Sequence, residues 1–531
     1  MRVLGISGRF HDAAAAVSVD GRLVAAAAED VFTRVPGAGY AQTGGFPARA
    51  VQACLAAAGC VLGDVDEVAL VAAEGSEAGT GDPAGALPAG RPVRLVDAIE
   101  ADAAQAAHAS GGAAAVLVCS SAPSALAAFT ATHDGLRLAG RADGAAGMGA
   151  AARALAAVLG VPGDRVHDGL DRLSQGGEAS YAEAFAAAVT WQDGRGVAVD
   201  PDQVAAAATR VAGQHAGGLG DAGSLNQRVQ DLRRHLAASF TRRMAEVVHD
   251  AARTLLPPGD DGPVALGGDL LAQSRFRAEL LQLLGRAAAV APVPEAAGRV
   301  LGAVLAPGRG PANGFEALAL GPVYSDADIK RTLDNCRLDY VYEPDWGRLQ
   351  HRVSRMLEQG KVVGWFQGAL AFGPRALGTR SILCDPSNRY ARQNVNEYLR
   401  QAPLDEPLPV VLAPGARDVC ADEAAPLSVS DAAVRPEWRE PLRAALDWRQ
   451  AVRRHGVGRA QAPELCDLLE YHRARTGVPG LIEVNLAGPG EPIACTPRDA
   501  VRTTYSSAID ALVIGRFVLM KDHWLLRSHV D

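Results

Sequence analysis

The chain has 531 residues, of which 48% are hydrophobic and 21% are charged. These proportions are ordinary for a folded soluble protein, and they exclude disorder or a coiled coil as a description of the whole chain. Acidic residues number 60 against 52 basic ones, which gives a net charge of −8. This balance argues against a dedicated nucleic-acid-binding protein, which normally has a basic face, but it permits a small cationic pocket for phosphates.

Eight cysteines are scattered along the chain without a Cys-x-x-Cys pair. In a chain of this length the pattern indicates reduced, structural thiols and a cytoplasmic protein. The first residues have too short an apolar run for a signal peptide. Residues 109–133 are nearly free of charge, but glycine, serine, threonine and proline interrupt them. They therefore predict a buried strand over 113–119 that runs into a helix, and no membrane span.

The beginning of the chain predicts a strand, a loop and a hairpin. Apolar residues mark strands over 2–6, 13–19 and 23–28, and Asp20-Gly21 is typical of a tight turn between the last two. A glycine-bearing loop after a first strand, followed by a hairpin, is how actin-like phosphate-binding domains begin.

Helical patterning follows over 47–58 and 146–159, and the longest helix is predicted over 225–256, where a Pro-Pro-Gly sequence ends it. A strand over 263–266 then leads into Gly267-Gly268, and a helix is predicted over 295–305. This order of strands and helices is typical of the second half of the same α/β architecture.

The composition changes after residue 320, where lysine appears, alanine becomes rarer and aromatic residues gather. We therefore predict two domains, over 1–321 and 322–531. In the second domain the pattern predicts a helix over 353–359, a strand over 362–365 and a late strand over 512–518.

Segment 361–386 has the highest density of residues that could form a binding or catalytic site. Its predicted strand ends in a turn that contains two glycines and a proline and that presents Arg375 and Arg380. Because arginine binds phosphate through two parallel hydrogen bonds, the turn is predicted to bind phosphate, with Lys361 as a further positive charge. The alternative is a structural turn whose arginines pair with Asp385 and other acids.

This segment resembles the signature of the NodU/CmcH/TobZ carbamoyltransferases, in which a Gly-Trp-Phe-Gln-Gly strand leads to Phe-Gly-Pro-Arg-Ala-Leu-Gly-x-Arg-Ser-Ile. Other family landmarks occur in the same order along nearly the whole chain. They are Gly5-Ile6-Ser7 with His11-Asp12-Ala13-Ala14, residues 29–34, Gly45-Phe46-Pro47, Thr476-Gly477-Val478-Pro479, Gly490-Glu491-Pro492-Ile493 and Cys495-Thr496-Pro497.

The resemblance implies an α/β protein with an actin-like (ASKHA) N-terminal domain of the Kae/TsaD type and a YrdC-like α+β C-terminal domain. It also implies an enzyme that makes carbamoyl adenylate from carbamoyl phosphate and ATP with Mg²⁺. The carbamoyl group then moves to an acceptor hydroxyl, as in antibiotic biosynthesis. The partners expected are a small-molecule substrate and either a second copy of the chain or another biosynthetic enzyme; neither nucleic acid nor a membrane is expected.

The resemblance also assigns roles to individual residues. Lys361, Arg375 and Arg380 would hold phosphate or carbamate oxygens, since such chemistry needs charge neutralisation. His11 has a suitable pKa to accept the acceptor's proton, and Asp12 would orient it; the alternative is a loop histidine capped by its neighbour. The predicted cofactor-binding positions are Gly267, Gly268, Gln367, Gly368, Gly373 and Arg400. For Gly267-Gly268 the alternative is a plain strand–helix turn.

The chain departs from the family at the metal site, which uses two histidines on one face of a helix. Either both are lost, as Ala101 and Gln105, or one survives as His108 with Ala104 opposite. Two further ligand positions carry other residues, namely Ser120 or Ser121, and Ala296 next to Glu295. We therefore expect neither iron nor zinc.

The C-terminal domain departs as well. Ala369 and Ala371 stand where the family has an arginine and an acid, and the basic, proline-rich motif after Asn396 is largely lost, with Arg400 as its remaining cation. Two hypotheses follow. The chain is either a divergent carbamoyltransferase or a catalytically degenerate homologue that binds a ligand or a partner. Modified acyl-activation chemistry on the same fold is a further alternative.

Overall fold

The structure is a computed structural model. It describes residues 1–9, 11–72, 91–121, 124–132, 135–142, 146–162, 166–192, 196–215, 222–257, 262–305, 315–399, 407–421, 424 and 427–521.

The first sheet has five strands in the order β3-β2-β1-β4-β5, and β1, β4 and β5 run parallel. Its strands are β1 Arg2–Ser7, β2 Ala14–Val19, β3 Arg22–Ala28, β4 Glu67–Ala72 and β5 Val93–Asp97. The hairpin turn at Asp20-Gly21 has positive φ at both residues, 50° and 76°, as a tight hairpin turn of this kind requires. The predicted strands over 2–6, 13–19 and 23–28 are confirmed.

The second sheet repeats this arrangement, with the order β12-β11-β6-β7-β8, an antiparallel β6-β7-β8 meander and parallel β11 and β12. Its strands are β6 Ala115–Ser121, β7 Ser124–Thr132, β8 Gly135–Ala142, β11 Val264–Gly267 and β12 Ala288–Val290; β9 Val189–Gln192 and β10 Gly196–Val199 form a separate hairpin. Two sheets with the same strand order confirm the predicted actin-like α/β class. The prediction of a helix after residue 119 is wrong, because pairing with β6 and β8 makes that alanine-rich segment a strand.

The helices of this first part include a very long one, α7, whose 34 residues span about 50 Å. The set is α1 Asp30–Thr33, α2 Ala48–Ala57, α3 Ala98–Ala109, α4 Ala146–Val158, α5 Val166–Gln175, α6 Pro201–His215, α7 Ala222–Leu255, α8 Ser274–Leu284 and α9 Arg299–Val304. The largest core cluster contains side chains of β6, α4 and α7, such as Leu117, Leu155 and Phe240. The amphipathic patterns over 146–159 and 225–256 therefore bury their apolar faces as predicted, and the pattern over 47–58 buries Val51, Cys54 and Leu55 of α2.

The C-terminal part is built on a mixed sheet of nine strands in the order β13-β21-β20-β14-β15-β19-β16-β18-β17. The strands are β13 Val341–Tyr342, β14 Val363–Phe366, β15 Arg380–Cys384, β16 Val410–Leu412, β17 Val429–Ala433, β18 Ala451–His455, β19 Gly480–Asn485, β20 Ala511–Ile514 and β21 Phe517–Met520. The helices are α10 Asp326–Asn335, α11 Trp346–Glu358, α12 Ala391–Gln393, α13 Pro463–Thr476 and α14 Pro497–Tyr505. This mixed sheet with its helices is the α+β architecture predicted for the C-terminal domain.

Two details of the C-terminal prediction need correction. The strand predicted over 512–518 is an antiparallel hairpin of β20 and β21, because Gly515 takes a positive φ of 55° and reverses the chain. The helix predicted over 353–359 begins seven residues earlier, at Trp346, where the Asp345 carboxylate caps it by accepting from the Arg348 N–H at 2.7 Å.

The chain forms two compact units. One comprises Met1–Ser7, Ser18–Leu23 and Val65–Phe315, and the other Gly8–Val17, Val24–Asp64 and Glu316–Asp531. The domain limits 1–321 and 322–531 stay a prediction. No helix of the described segments is both long and apolar enough to cross a membrane.

Candidate functional site

The predicted phosphate-binding turn connects β14 to β15, which are antiparallel neighbours in the nine-stranded sheet. Four of its residues have positive φ, namely Gly368 at 58°, Gly373 at 110°, Leu377 at 44° and Gly378 at 81°. The φ of Gly378 favours glycine, and a Cβ there would also lie 2.6 Å from the Leu465 side chain and 2.9 Å from the Ala462 Cβ. The turn is therefore a specific, closely packed loop.

Two side chains of the neighbouring strand β19 hold the turn. The Asn485 amide accepts from the Ala376 N–H at 2.9 Å and donates to the Pro374 carbonyl at 2.8 Å. The Glu483 carboxylate accepts from the Gly378 N–H at 3.2 Å and from the Ser381 hydroxyl at 2.5 Å. These bonds fix the backbone on both sides of Arg375, so the position of that side chain is determined by β19.

Arg380 is fully buried at the start of β15. Its guanidinium donates to the carbonyls of Gln367, Thr379, Gly368 and Pro322 at 2.7, 2.9, 3.0 and 3.4 Å, and it lies 3.6 Å from the centre of the Phe366 ring. Burial lowers the pKa of this guanidinium to about 9. Phosphate binding by Arg380 stays a prediction, and it would require the guanidinium to leave these carbonyls.

Arg375 and Lys361 differ in their relation to the turn. Arg375 is half-buried on the turn itself. Lys361 precedes β14, at the opposite end of the strand, about 20 Å from Gln367 along an extended chain. Its ammonium lies 3.6 Å from the Asp510 carboxylate. The structure therefore separates Lys361 from the two arginines, and the three cations do not form one cluster.

A cavity of about 250 Å³ lies beside the residues that hold the turn, and its lining includes Arg454, His455 and Arg459. His455 is 8% exposed, and its Nδ1–H donates to Glu483 at 2.6 Å. Burial alone would raise the pKa of Glu483, but the bonds from His455, Ser381 and the Gly378 N–H, with the charge of His455, bring it below the ordinary 4.5. Glu483 thus links the cavity to the turn as an ionised carboxylate.

A second cavity, of about 200 Å³, lies against the predicted cofactor-binding residues Gln367 and Gly368. Gln367 donates to the Gly515 carbonyl at 2.9 Å, which joins the end of β14 to the β20–β21 hairpin. The Arg516 guanidinium, also in the lining, lies 4.8 Å from the centre of the Trp346 ring. Both cavities are small; the first is lined in part by Arg454 and Arg459, whereas the lining of the second combines Arg516 with the carboxylates of Asp326 and Glu464.

Residues 354–521 match the family described as Carbamoyltransferase C-terminus. The matched span holds the turn, Glu483 and His455. This part of the chain is similar to the C-terminal domains of carbamoyltransferases. The predicted family resemblance is thereby confirmed.

Curated relatives match this chain over part of their length. The uncharacterized protein sll1178 of Synechocystis is 32% identical over 225 residues, which cover 38% of this chain and 37% of that protein. Nodulation protein NolNO of Sinorhizobium fredii is 31% identical over 175 residues, which cover 32% of this chain and 26% of that protein. The chain thus spans between a quarter and two fifths of the length of these relatives.

Among solved structures, component A of the (R)-2-hydroxyglutaryl-CoA dehydratase of Acidaminococcus fermentans has a TM-score of 0.38 at 16% identity, covering 58% of this chain and 97% of that chain. A likeness of this size supports no argument, and the fold class rests on the strand orders given above.

The predicted pair His11-Asp12 forms a hydrogen bond in the structure. The His11 Nδ1–H donates to the Asp12 carboxylate at 2.7 Å, so Nε2 carries the lone pair that accepts a proton. Asp12 has a positive φ of 55°, and its N–H donates to the Gly37 carbonyl at 3.0 Å. His11 is exposed. The pair has the geometry of an oriented base, while its catalytic role stays a prediction.

The other predicted cofactor positions have structural explanations or lie outside the description. A Cβ on Gly267 would lie 2.6 Å from the Asp102 carbonyl, and one on Gly268 would lie 2.3 Å from the Cys119 carbonyl. These glycines therefore let the end of β11 lie close to the backbones of α3 and β6. This packing role agrees with the alternative interpretation of Gly267-Gly268 as a plain strand–helix turn. Gly373 and Gly368 have positive φ, at 110° and 58°. Arg400 lies outside the described residues.

The positions predicted for metal ligands hold no set of donors. Ala101 and Ala296 are buried and apolar, and Gln105 donates to the Gly298 carbonyl at 2.5 Å. The His108 ring packs edge-on against Phe315. Throughout the described ranges, no three His, Cys, Asp or Glu side chains are grouped so that they could hold a metal ion. The side chains at these positions do not fit an iron or zinc ion, which needs three or four such donors.

Sequence reasoning missed Glu483, Asn485 and His455. Glu483 and Asn485 are alternate residues of β19, a strand that is otherwise apolar. Alternate residues of a strand share a face, and buried polar side chains need hydrogen-bond partners. Two polar side chains on one face of a buried strand therefore indicate polar contacts on that face. His455 carries no comparable signal, because it follows two arginines at the end of β18.

The state of Glu483 leads to a pH-dependent prediction. A carboxylate with a lowered pKa stabilises the fold above its ordinary pKa of 4.5, and this contribution is lost as the pH falls through the folded value. We expect Glu483→Gln to lower the melting temperature most at pH 7, with the difference from wild type shrinking towards pH 3. Thermal melts across this range measure it, with the exposed Glu437→Gln as control. A difference that is independent of pH would contradict the prediction.

Proposed function

We propose that the chain is a divergent carbamoyltransferase of natural-product biosynthesis. It would convert carbamoyl phosphate, ATP and one water into carbamoyl adenylate, pyrophosphate and phosphate, and then transfer the carbamoyl group to a hydroxyl acceptor. The observation that carries this proposal is the arginine-bearing turn, held by β19 inside a carbamoyltransferase C-terminal domain. The eight cysteines are thiols and form no disulfide in the described part of the chain, which suits a cytoplasmic enzyme.

Arg375 is the residue that we assign to phosphate binding. It stands on a turn whose backbone is fixed at Ala376 and Gly378, so its guanidinium is positioned before a ligand arrives. The neighbouring cavity adds Arg454 and Arg459. ATP would bind with Mg²⁺, which screens the phosphate charges. Arg380 would contribute by holding the carbonyls of Gln367 and Gly368 in place.

The transfer step requires a base for the acceptor hydroxyl. In this proposal the acceptor oxygen attacks the carbonyl carbon of the adenylate, the bond from that carbon to the phosphate oxygen breaks, and AMP leaves. His11 Nε2 takes the hydroxyl proton, and the Asp12 carboxylate stabilises the imidazolium that forms.

The binding role of Arg375 can be tested directly. Arginine–phosphate bonds are charge-assisted and contribute about 1.5–3 kcal/mol, so Arg375→Ala should weaken ATP binding about tenfold or more. Lys330→Ala is the control, because Lys330 is exposed on α10 and pairs with Asp334. Isothermal calorimetry with Mg²⁺ and carbamoyl phosphate gives the affinities, and melting temperatures show whether the variants are folded.

The wild-type protein decides between the two hypotheses. A carbamoyltransferase of this kind catalyses ATP–pyrophosphate exchange that depends on carbamoyl phosphate. If the folded wild type neither binds ATP nor catalyses this exchange, the proposal is wrong. The catalytically degenerate homologue then becomes the better description, and the commitment of Arg380 to four carbonyls is the observation that favours it.

A further inference from the structure

The three segments predicted to supply metal ligands do meet in the structure, within the unit that contains residues 65–315. A Cβ on Gly302 would lie 1.9 Å from the Ala101 carbonyl, so α9 and α3 touch through their backbones. Gln105 reaches from α3 to the Gly298 carbonyl at 2.5 Å. The end of β6, at Ser120, faces the same place, as its contact with Arg299 shows. The three segments therefore meet at one place, although the residues at the predicted ligand positions are not metal ligands.

The side chain of Arg299 occupies this meeting point. Its Nε lies 3.2 and 3.3 Å from the two carboxylate oxygens of Asp102 on α3, and Nη2 donates to the Ser120 hydroxyl at 3.0 Å. Nη2 also lies 3.9 Å from the Asp269 carboxylate. Arg299 is only 8% exposed and Asp102 only 2%. A positive charge is thus buried among oxygens of three segments.

Asp269 connects this group to the last residue of β6. Its carboxylate accepts from the Ser121 N–H at 2.6 Å and from the Ser121 hydroxyl at 3.1 Å. It directly follows Gly267-Gly268, whose lack of side chains lets β11 approach α3 and β6. The guanidinium therefore lies within one polar group that includes α3, β6, the segment after β11 and the start of α9.

A metal ion does not fit into this arrangement. Two of the predicted ligand positions are alanines, the Ser120 hydroxyl already accepts from Arg299, and the centre holds a guanidinium that repels a cation. A metal at such a place joins segments by binding oxygen or nitrogen atoms from each. Arg299 makes the equivalent connections with hydrogen bonds and charge.

We propose that the Arg299 guanidinium is an internal cation that takes the place of a bound metal ion and joins α3, β6 and α9. This unit then folds to its full stability without any metal. The inference is independent of the proposed function, since it concerns stability and metal content and involves no substrate.

Metal content and chelator response of the wild type test the proposal without any substitution. Protein purified without chelator should contain less than about 0.1 iron or zinc per chain by elemental analysis. Its melting temperature should be the same with and without EDTA, and added Zn²⁺ or Fe²⁺ should not raise it. About one tightly held metal per chain, or a melting temperature that falls in EDTA, would overturn the proposal.

Substitutions test the role of the guanidinium itself. Removing one member of a buried charge pair is strongly destabilising, so Arg299→Ala should lower the melting temperature by about 10 °C. Arg137→Ala, exposed on β8, should change it by less than about 1 °C. Ser120→Ala removes one acceptor and should give a loss of a few degrees. If Ser120→Ala and Arg299→Ala both melt like Arg137→Ala, the guanidinium does not join these segments.

The ion pair of Arg299 with Asp102 supplies a further readout. A double-mutant cycle of Asp102→Asn and Arg299→Lys measures their coupling, and both variants are conservative enough to be compared with wild type as folded proteins. Coupled losses, in which the double variant is less destabilised than the sum of the single ones, support the proposal. Additive losses would overturn it.

Discussion

Replacing Arg380 with methionine is expected to destabilise the C-terminal part by about 3 kcal/mol, which is roughly a hundredfold in the folding equilibrium. Methionine fills much of the space, but it donates no hydrogen bond to the carbonyls of Gln367, Gly368 and Thr379. Removing the guanidinium leaves several buried carbonyls without a donor at once. The free-energy cost of these unpaired carbonyls exceeds the free energy gained because a charge is no longer buried.

The measurement is chemical denaturation followed by tryptophan fluorescence. Trp365 is a suitable reporter, since it is buried and its indole donates to the Gly378 carbonyl at 3.1 Å in the same turn. Arg331→Met is the matched control, because Arg331 is exposed on α10 and forms an ion pair with Asp328 at 3.4 Å. We expect a change below about 0.5 kcal/mol for the control. A loss below about 1 kcal/mol for Arg380→Met would mean that the guanidinium does not hold the turn.

His11→Ala is expected to lower carbamoyl transfer at least about a hundredfold, because a positioned base contributes about 10²–10⁴-fold to such a step. ATP–pyrophosphate exchange should be unchanged, since adenylate formation takes no proton from the acceptor. The transfer readout is AMP released in the presence of hydroxyl compounds, tested first with wild type on a panel of sugars and secondary alcohols.

Asp12→Asn separates the two members of the pair. The amide preserves the size of the side chain but removes the charge that stabilises the imidazolium, so an intermediate loss of transfer is expected. Equal losses of transfer and exchange in His11→Ala would contradict the assignment, because they would indicate a role in folding or in ATP binding.

Local patterns in the sequence predict much of the N-terminal fold. The strands over 2–6, 13–19 and 23–28 are short apolar runs, and Asp20-Gly21 forms the turn that its residue types favour. The alanine-rich segment after Cys119 shows where this reasoning fails. Alanine prefers helix, but edge-to-edge pairing along Ser124–Thr132 with β6 and β8 outweighs that preference, and no local pattern carries information on the partner strands.

The candidate site shows a second limit. The sequence reveals the charges of Arg375 and Arg380, but it does not show which acceptors surround them. Arg380 turns out to be bound to carbonyls that lie 12 and 13 positions earlier in the chain, while Glu483 reaches the turn from about 100 positions later. Contacts across such separations are determined by strand order, which only the folded structure supplies.

Leu377 gives the turn a further property. It is a leucine with φ of 44°, in the left-handed region that costs a branched side chain about 1 kcal/mol or more, and it is 1% exposed. The backbone accepts this conformation only while the side chain stays buried. Arg375 lies only two residues earlier in the same turn, so we expect a change that exposes Leu377 to displace Arg375 as well; presentation of the cation thus depends on the burial of one leucine.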